Sequence, residues 1–209
     1  MKKYNIETEF KFKITREQFR QALKEKRIGI LSMQLIRQMW LFNNVHNNNN
    51  NTIENTIPFK SRIRSITDMR EIHNPTGNSE HTSNTTEYSH CVKYPLCEGD
   101  ESSSIECEQL ISEEEFLTLR KLGSLKGRTI TEKLRYSLKF TKQSELEELL
   151  RLWIVTVDIY DDREDVNVEL ELMRGLISKG DKIRIEEEIE KMRGLVERIR
   201  EYMIGIGGN

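Results

Sequence analysis

Apolar and polar residues alternate with a period of two through much of this chain, which is the pattern of a β-strand that buries one face. In the first alternating segment, Phe10 and Phe12 lie on one face, and Glu9 and Lys11 lie on the other. Eight segments are alternating, or are short and apolar or aromatic, and are predicted to be strands: 4–14, 33–42, 59–66, 89–96, 104–111, 128–140, 152–160 and 165–173.

Helices are predicted between some of these strands. Thr15 is a suitable N-cap for a helix over 16–26, and Ser112 with Glu115 forms a capping box for a helix over 113–122. One or two further helical turns are predicted over 145–151.

The C-terminal region has a different period. From Asp181 onward, apolar residues recur at steps of three and four, as in an amphipathic helix: Ile185, Ile189, Met192, Val196, Ile199 and Met203. We therefore expect one domain over 1–175 and, over 176–209, a helix that packs on this domain or lies at a dimer contact. The protein is accordingly expected to be a monomer or a homodimer.

Two stretches are rich in Asn, Ser and Thr and poor in apolar residues, at about 43–57 and about 68–88. Such segments bury too little apolar surface to offset the entropy of ordering, so we predict surface insertions there. A turn is expected over 98–104.

Composition narrows the class of protein. The chain has 209 residues and a formal net charge of −2, which argues against nucleic-acid binding by overall charge. No apolar run reaches the ~18–20 residues of a membrane span, and no apolar segment follows the first residues as in a secretory signal. The three cysteines lack C-x-x-C spacing and predict reduced thiols, so we expect a cytoplasmic protein without membrane association.

Charged residues fall on the predicted strands as pairs two positions apart, which point to the same face of a strand. Acidic pairs and basic pairs occupy different strands, whereas the polar face of a typical sheet mixes residue types. If eight strands closed into a barrel, these charges would line its interior and would need partners. A divalent cation bound to oxygen ligands, Mg²⁺ or Mn²⁺, would neutralise the acidic pairs, and a polyphosphate would neutralise the basic ones.

The same residues carry a family resemblance. The segment Glu7-Thr8-Glu9-Phe10-Lys11 resembles the E-x-E-x-K motif of the CYTH domain, also called the triphosphate tunnel metalloenzyme superfamily. Over about 4–174, further segments resemble the family's strands in the right order: Arg62-Ile63-Arg64, Cys91-Val92-Lys93, Glu106-Cys107-Glu108, Lys133-Leu134-Arg135-Tyr136, Val157-Asp158-Ile159-Tyr160 and Val168-Glu169-Leu170-Glu171-Leu172.

The resemblance implies an α+β fold in which an antiparallel eight-stranded β-barrel, with flanking helices, forms a tunnel for a triphosphate and a divalent metal. It implies that the metal-binding carboxylates are Glu7, Glu9, Glu169 and Glu171. It implies that the phosphate-binding cations are Lys11, Arg62, Arg64, Lys93, Lys133 and Arg135. It further implies that Asp158 and the pair Glu106 and Glu108 orient these cations or bind a second metal. Glu169, Glu171 and Glu106 are the candidates for accepting a proton from the attacking water.

The function implied first is a metal-dependent triphosphatase that removes the terminal phosphate of inorganic or thiamine triphosphate. The alternatives are the RNA 5′-triphosphatase of mRNA capping, which would act on an RNA 5′ end, a class IV adenylate cyclase, and a non-catalytic polyphosphate-binding module. The four carboxylates argue against a pure anion binder. Trp40 and Trp153 are predicted to be packing residues, and Gln38 resembles a residue of the family's second strand.

Overall fold

The computed structural model describes residues 3–43, 59–69, 85–95, 103–140, 150, 153–172 and 182–205. The described helices and strands follow in this order: β1 (Lys3–Thr15), α1 (Arg16–Lys24), β2 (Ile28–Asn43), β3 (Lys60–Asp68), β4 (Thr86–Pro95), β5 (Ser103–Leu110), α2 (Glu113–Leu125), β6 (Thr131–Phe140), β7 (Trp153–Ile159), β8 (Asp165–Leu172) and α3 (Lys182–Ile204).

The predicted fold class is confirmed. The eight strands form an antiparallel sheet with the hydrogen-bonded order β1-β5-β4-β3-β2-β6-β7-β8, and β1 also pairs with β8, so the order closes. Within the described ranges, three helices flank the strands, which makes an α+β fold.

Some element bounds differ from the sequence predictions. β2 begins at Ile28, five residues before the predicted start. The prediction missed residues 28–32 because apolar and polar residues do not alternate there. The two ends of the predicted insertion at 68–88 belong to β3 and β4, and most of the rest of it lies outside the described residues. Nearly all of the predicted insertion at 43–57 and most of the predicted turn at 98–104 also lie outside the described residues. The predicted helical turns at 145–151 also lie outside them, except for Leu150.

The chain divides into two compact units. The first unit holds the described residues within 1–7, 35–68 and 74–132, and the second holds those within 8–34, 69–73 and 133–209. β1, β2 and β6 contribute residues to both units.

The first unit has a small apolar core around α2. Met39, Ile63 and Phe116 are buried together, and the Phe116 ring centroid lies 5.1 Å from that of Tyr88. The predicted capping box of α2 is present, because the Ser112 side chain accepts a hydrogen bond from the Glu115 backbone and the Glu115 carboxylate accepts one from the Ser112 backbone.

The second unit has the larger core. It is built from the apolar face of β8, with Val166, Val168 and Leu170 fully buried, and from residues of α1, β1, β6, β7 and α3. The predicted Thr15 cap of α1 is also present, as a capping box with Gln18.

The stripe of α3 faces this core. Met192, Ile199 and Met203 of the predicted stripe are buried in it, and Leu195 joins them. Arg27 Nη1 donates to the carbonyl oxygens of Tyr202, at 2.8 Å, and Met203, at 2.6 Å, so a side chain from the turn after α1 caps the end of α3. Among the described helices, none is long and apolar enough to cross a membrane.

Candidate functional site

Four strands that are neighbours in the sheet, β6, β7, β8 and β1, place charged side chains of the second unit on one face. We call this set the carboxylate–cation cluster, and it consists of Glu9, Lys11, Lys133, Arg135, Asp158, Glu169 and Glu171. The other face of β1 and β8 is apolar: on it, Phe10 of β1 is paired across the strands with Leu170 of β8, and Phe12 with Val168. Burial of that apolar face determines the register, and the register brings the charged residues together.

Asp158 lies at the buried end of the cluster. It is fully buried, and its oxygens accept hydrogen bonds from Lys133 Nζ and from Arg135, whose Nε lies 2.7 Å from Oδ1 and whose Nη2 lies 2.7 Å from Oδ2. A carboxylate bound by two cations is a poor metal ligand, because their positive charges repel a metal ion and their three hydrogen bonds engage most of the carboxylate lone pairs. Of the two roles that the resemblance implies for Asp158, this geometry favours the orientation of the cations.

Burial lowers the pKa of Lys133 to about 8, and the neighbouring Arg135 charge lowers it in the same direction, although Asp158 partly offsets both effects. Lys133 therefore holds its proton at neutral pH but loses it in mildly alkaline solution. Among the cations of this cluster, Lys133 is the one whose charge depends on pH in an ordinary range.

Glu169 connects the buried and the open parts of the cluster. It accepts a hydrogen bond from Arg135 Nη2 and forms a 3.3 Å ion pair with Lys11 Nζ. Burial alone would raise the pKa of Glu169, but the charges of Arg135 and Lys11 lower it to about 2. Lys11 Nζ also pairs with Glu9 at 2.9 Å, and the Lys11 side chain is 51% exposed, so this part of the cluster is open to solvent.

The metal that the resemblance implies needs carboxylate oxygens close to one another. Glu9 and Glu171 are directly opposite in the register of β1 and β8, where side chains are neighbours and like charges repel. Mg²⁺ is commonly bound by one or two carboxylates together with waters and substrate phosphates, and this pair fits such a site. No group of three or more potential ligands placed to hold a metal occurs among the described residues, and the side chain of Glu7 lies outside them.

The first unit has a second charged set, on one face of β3, β4 and β5. We call it the arginine cluster, and it consists of Arg62, Arg64, Cys91, Lys93, Glu106 and Glu108. Glu106 Oε1 lies 3.2 Å from Arg62 Nη2 and 3.5 Å from Arg64 Nη2, and Glu108 also pairs with Arg64. Both guanidinium groups are thus held by carboxylates of β5.

Cys91 is completely buried within this cluster, and its Sγ donates to Glu106 Oε1 at 2.7 Å. Burial raises the pKa of Cys91 to about 12, so the thiol keeps its proton. Burial alone would raise the pKa of Glu106, but the charge of Lys93, the hydrogen bond from Cys91 and the two arginines lower it to about 2.

Three residues of these surroundings were not among the sequence-predicted site residues. The Arg62 guanidinium lies 5.3 Å from the ring centroid of Trp40, which had been predicted to be a packing residue. The ring centroid of Tyr160 lies 5.9 Å from Lys133 Nζ in the carboxylate–cation cluster, and Cys91 donates a hydrogen bond to Glu106. Only spacing could have indicated these three residues, because each is two positions from a polar strand residue and would therefore share its face of the strand.

No protein-family model matches the chain, and no curated protein matches it.

Solved structures do match it. The PH1819 protein from Pyrococcus horikoshii OT3 is similar over 92% of this chain and 89% of its own, with 16% identity and a TM-score of 0.55. A conserved hypothetical protein from Pyrococcus furiosus is similar over 96% of this chain and 91% of its own, with 17% identity and a TM-score of 0.50. A "putative adenylate cyclase" from Bacillus halodurans is similar over 99% of this chain and 93% of its own, with 13% identity and a TM-score of 0.50. At these identities the similarity shows a shared fold.

Proposed function

We propose that this protein is a metal-dependent triphosphatase of the CYTH type, which hydrolyses the terminal phosphate of inorganic or thiamine triphosphate. The observation that carries the proposal is the carboxylate–cation cluster, in which two directly opposed glutamates lie on the same sheet face as two lysines and an arginine. An anion binder alone has no use for an opposed pair of carboxylates, whereas a metal–triphosphate complex needs both kinds of group.

In the proposed reaction, water attacks the terminal phosphorus, the bond to the diphosphate oxygen breaks, and phosphate and the shortened product leave. Such a reaction depends more on positioning and charge neutralisation than on covalent catalysis. Lys11 and Lys133 would neutralise phosphate oxygens as point charges, and Arg135 would donate hydrogen bonds from a guanidinium held in place by Asp158. Arg62, Arg64 and Lys93 are proposed to be further phosphate-binding residues.

Glu9 and Glu171 would hold the divalent ion, Mg²⁺ or Mn²⁺, which supplies charge stabilisation at the phosphate oxygens and orientation of the attacking water. A carboxylate with a low pKa is a poor proton acceptor. The pKa values of Glu169 and Glu106 are both lowered to about 2, which argues against either of them as the acceptor of the proton from the attacking water.

A class IV adenylate cyclase is the second candidate, and the observation that favours it is the similarity to the "putative adenylate cyclase" from Bacillus halodurans. A cyclase would use the same charges but would release pyrophosphate, because the ribose 3′ oxygen attacks the α-phosphorus of ATP. The same charged side chains would also suit an RNA 5′-triphosphatase or a simple polyphosphate-binding module.

Product analysis separates these functions. The full chain is incubated with Mg²⁺ or Mn²⁺ and, separately, inorganic triphosphate, thiamine triphosphate, ATP and triphosphate-ended RNA. The expected result is phosphate released from one of the first two substrates, together with an equal amount of pyrophosphate from inorganic triphosphate or of thiamine diphosphate from thiamine triphosphate. Pyrophosphate with cyclic AMP from ATP would show a cyclase, phosphate from RNA alone would show an RNA triphosphatase, and tight polyphosphate binding without any product would show a binding module.

A further inference from the structure

A cavity of about 240 Å³ lies in the second unit, between α1 and the sheet. Its lining residues come from α1, β2, β6 and β7: Arg16, Phe19, Arg20, Leu23, Ile30, Tyr136 and Ile159. Tyr136 follows Arg135 on β6 and Ile159 follows Asp158 on β7, so the cavity is on the sheet face opposite the carboxylate–cation cluster. It is therefore distinct from the site proposed for the triphosphate.

The wall of the cavity is apolar over most of its area and positive at one side. Phe19 and Tyr136 are in ring contact, with centroids 5.8 Å apart, and Ile30 is 44% exposed although it is a large apolar residue. Arg16 and Arg20 are one helical turn apart on α1, and no acidic residue is among the lining residues.

The positive side is only partly neutralised. Arg20 Nη1 is paired with Glu17 at 3.2 Å, where both side chains are exposed. Arg16 Nη2 donates to the backbone carbonyl of Tyr160, but the buried Arg16 Nε has no hydrogen-bond acceptor among the described residues. No carboxylate among the described residues pairs with Arg16, so its guanidinium charge is the one that an anionic ligand would neutralise.

We propose that this cavity binds a small monocarboxylate with an aromatic or branched apolar body. The carboxylate would accept hydrogen bonds from Arg16 and Arg20, as guanidinium groups favour, and the apolar body would lie against Phe19 and Ile159. The volume of the cavity corresponds to about eight water molecules at ~30 Å³ each. This size limits the ligand to one small ring or a short branched chain.

Isothermal titration calorimetry with phenylacetate tests this proposal, and phenylacetamide serves as the uncharged probe of nearly the same shape. Both are titrated into the full chain without triphosphate or metal, so the result does not depend on the proposed function. We expect phenylacetate to bind with a Kd below about 1 mM and phenylacetamide at least about tenfold more weakly, because only the acid supplies a charged acceptor.

Variants locate the binding. Ile30→Trp places a larger ring in the cavity and is expected to weaken phenylacetate binding at least about tenfold. Arg16→Gln removes a positive charge and is expected to lower the affinity for phenylacetate to that for phenylacetamide. Leu122→Trp is the matched control, since Leu122 is 52% exposed, on α2 of the other unit, and should not change binding. Equal affinities for acid and amide, unchanged binding in Ile30→Trp, or no binding of phenylacetate at several times ~1 mM would overturn the proposal. If Arg16→Gln failed to fold, Ile30→Trp and the acid–amide comparison would still decide it.

Discussion

Asp158 is the residue at which the structure makes its strongest quantitative prediction. The change Asp158→Asn keeps the shape of the side chain but removes the charge that Lys133 and Arg135 share. The new amide nitrogen would also point a donor at one of these two donors. Breaking a buried ion pair by removing one partner typically costs 3–5 kcal/mol, and we expect about 3 kcal/mol here because Arg135 keeps its pairing with Glu169.

The assay is urea unfolding followed by circular dichroism at pH 7. With a typical slope of about 1–3 kcal/mol per molar urea, the midpoint should fall by about 1–3 M. Asp165→Asn is the matched control, since Asp165 is ion-paired with Lys13 at the exposed end of β8 and should unfold almost like the wild type. Equal midpoints for the two variants would refute the argument that Asp158 holds the buried cations in place.

Three further predictions concern pH and helix capping. Because the pKa of Glu169 is lowered to about 2, its contribution to stability is present above its ordinary value of ~4.5 and is lost as the pH falls toward 2, so Glu169→Gln should reduce the slope of unfolding free energy against pH in that window and leave the slope near pH 7 unchanged. Because the pKa of Lys133 is lowered from 10.5 to about 8, the unfolded chain binds more protons between these values, and stability should rise with pH there. The affinity of the wild type for inorganic triphosphate, measured by calorimetry at pH 7 and pH ~9.5, should fall relative to that of Lys133→Gln at the higher pH, since the change in the charge of triphosphate itself is common to both proteins. Arg27→Ala removes the donor to the last carbonyls of α3 and should lower the unfolding free energy by about 2 kcal/mol, whereas Arg200→Ala, at an exposed pair on the same helix, should have little effect in the same melts.

Local features of the fold could be predicted from the sequence because they depend on nearby residues. The two capping boxes require only a hydroxyl and a residue three positions later, and both are present. The alternation in β1 predicted which residues face the core, since Phe12 and Glu9 lie on opposite faces. The start of β2 at Ile28 was missed because its first residues do not alternate.

Contacts between distant residues could not be predicted in this way. The shared binding of Lys133 and Arg135 by Asp158 depends on the register of β6 against β7, and the contact of Cys91 with Glu106 depends on strands β4 and β5 that are joined by residues with no strand pattern. The capping of α3 by Arg27 joins residues 175 and 176 positions apart. Such contacts follow from the pairing of particular strands and helices, whereas alternation along one strand predicts only which of its faces is buried.

Phosphate release from inorganic triphosphate, measured with and without Mg²⁺ for the wild type and for Glu9→Gln and Glu171→Gln, tests the central claim most directly. We expect release that requires the metal and falls by at least about 100-fold in each variant, which corresponds to about 2.7 kcal/mol of lost transition-state stabilisation. Asp165→Asn, a carboxylate-to-amide change on β8 outside the carboxylate–cation cluster, should retain wild-type release. Metal-dependent release that is undiminished in both glutamate variants would contradict the account.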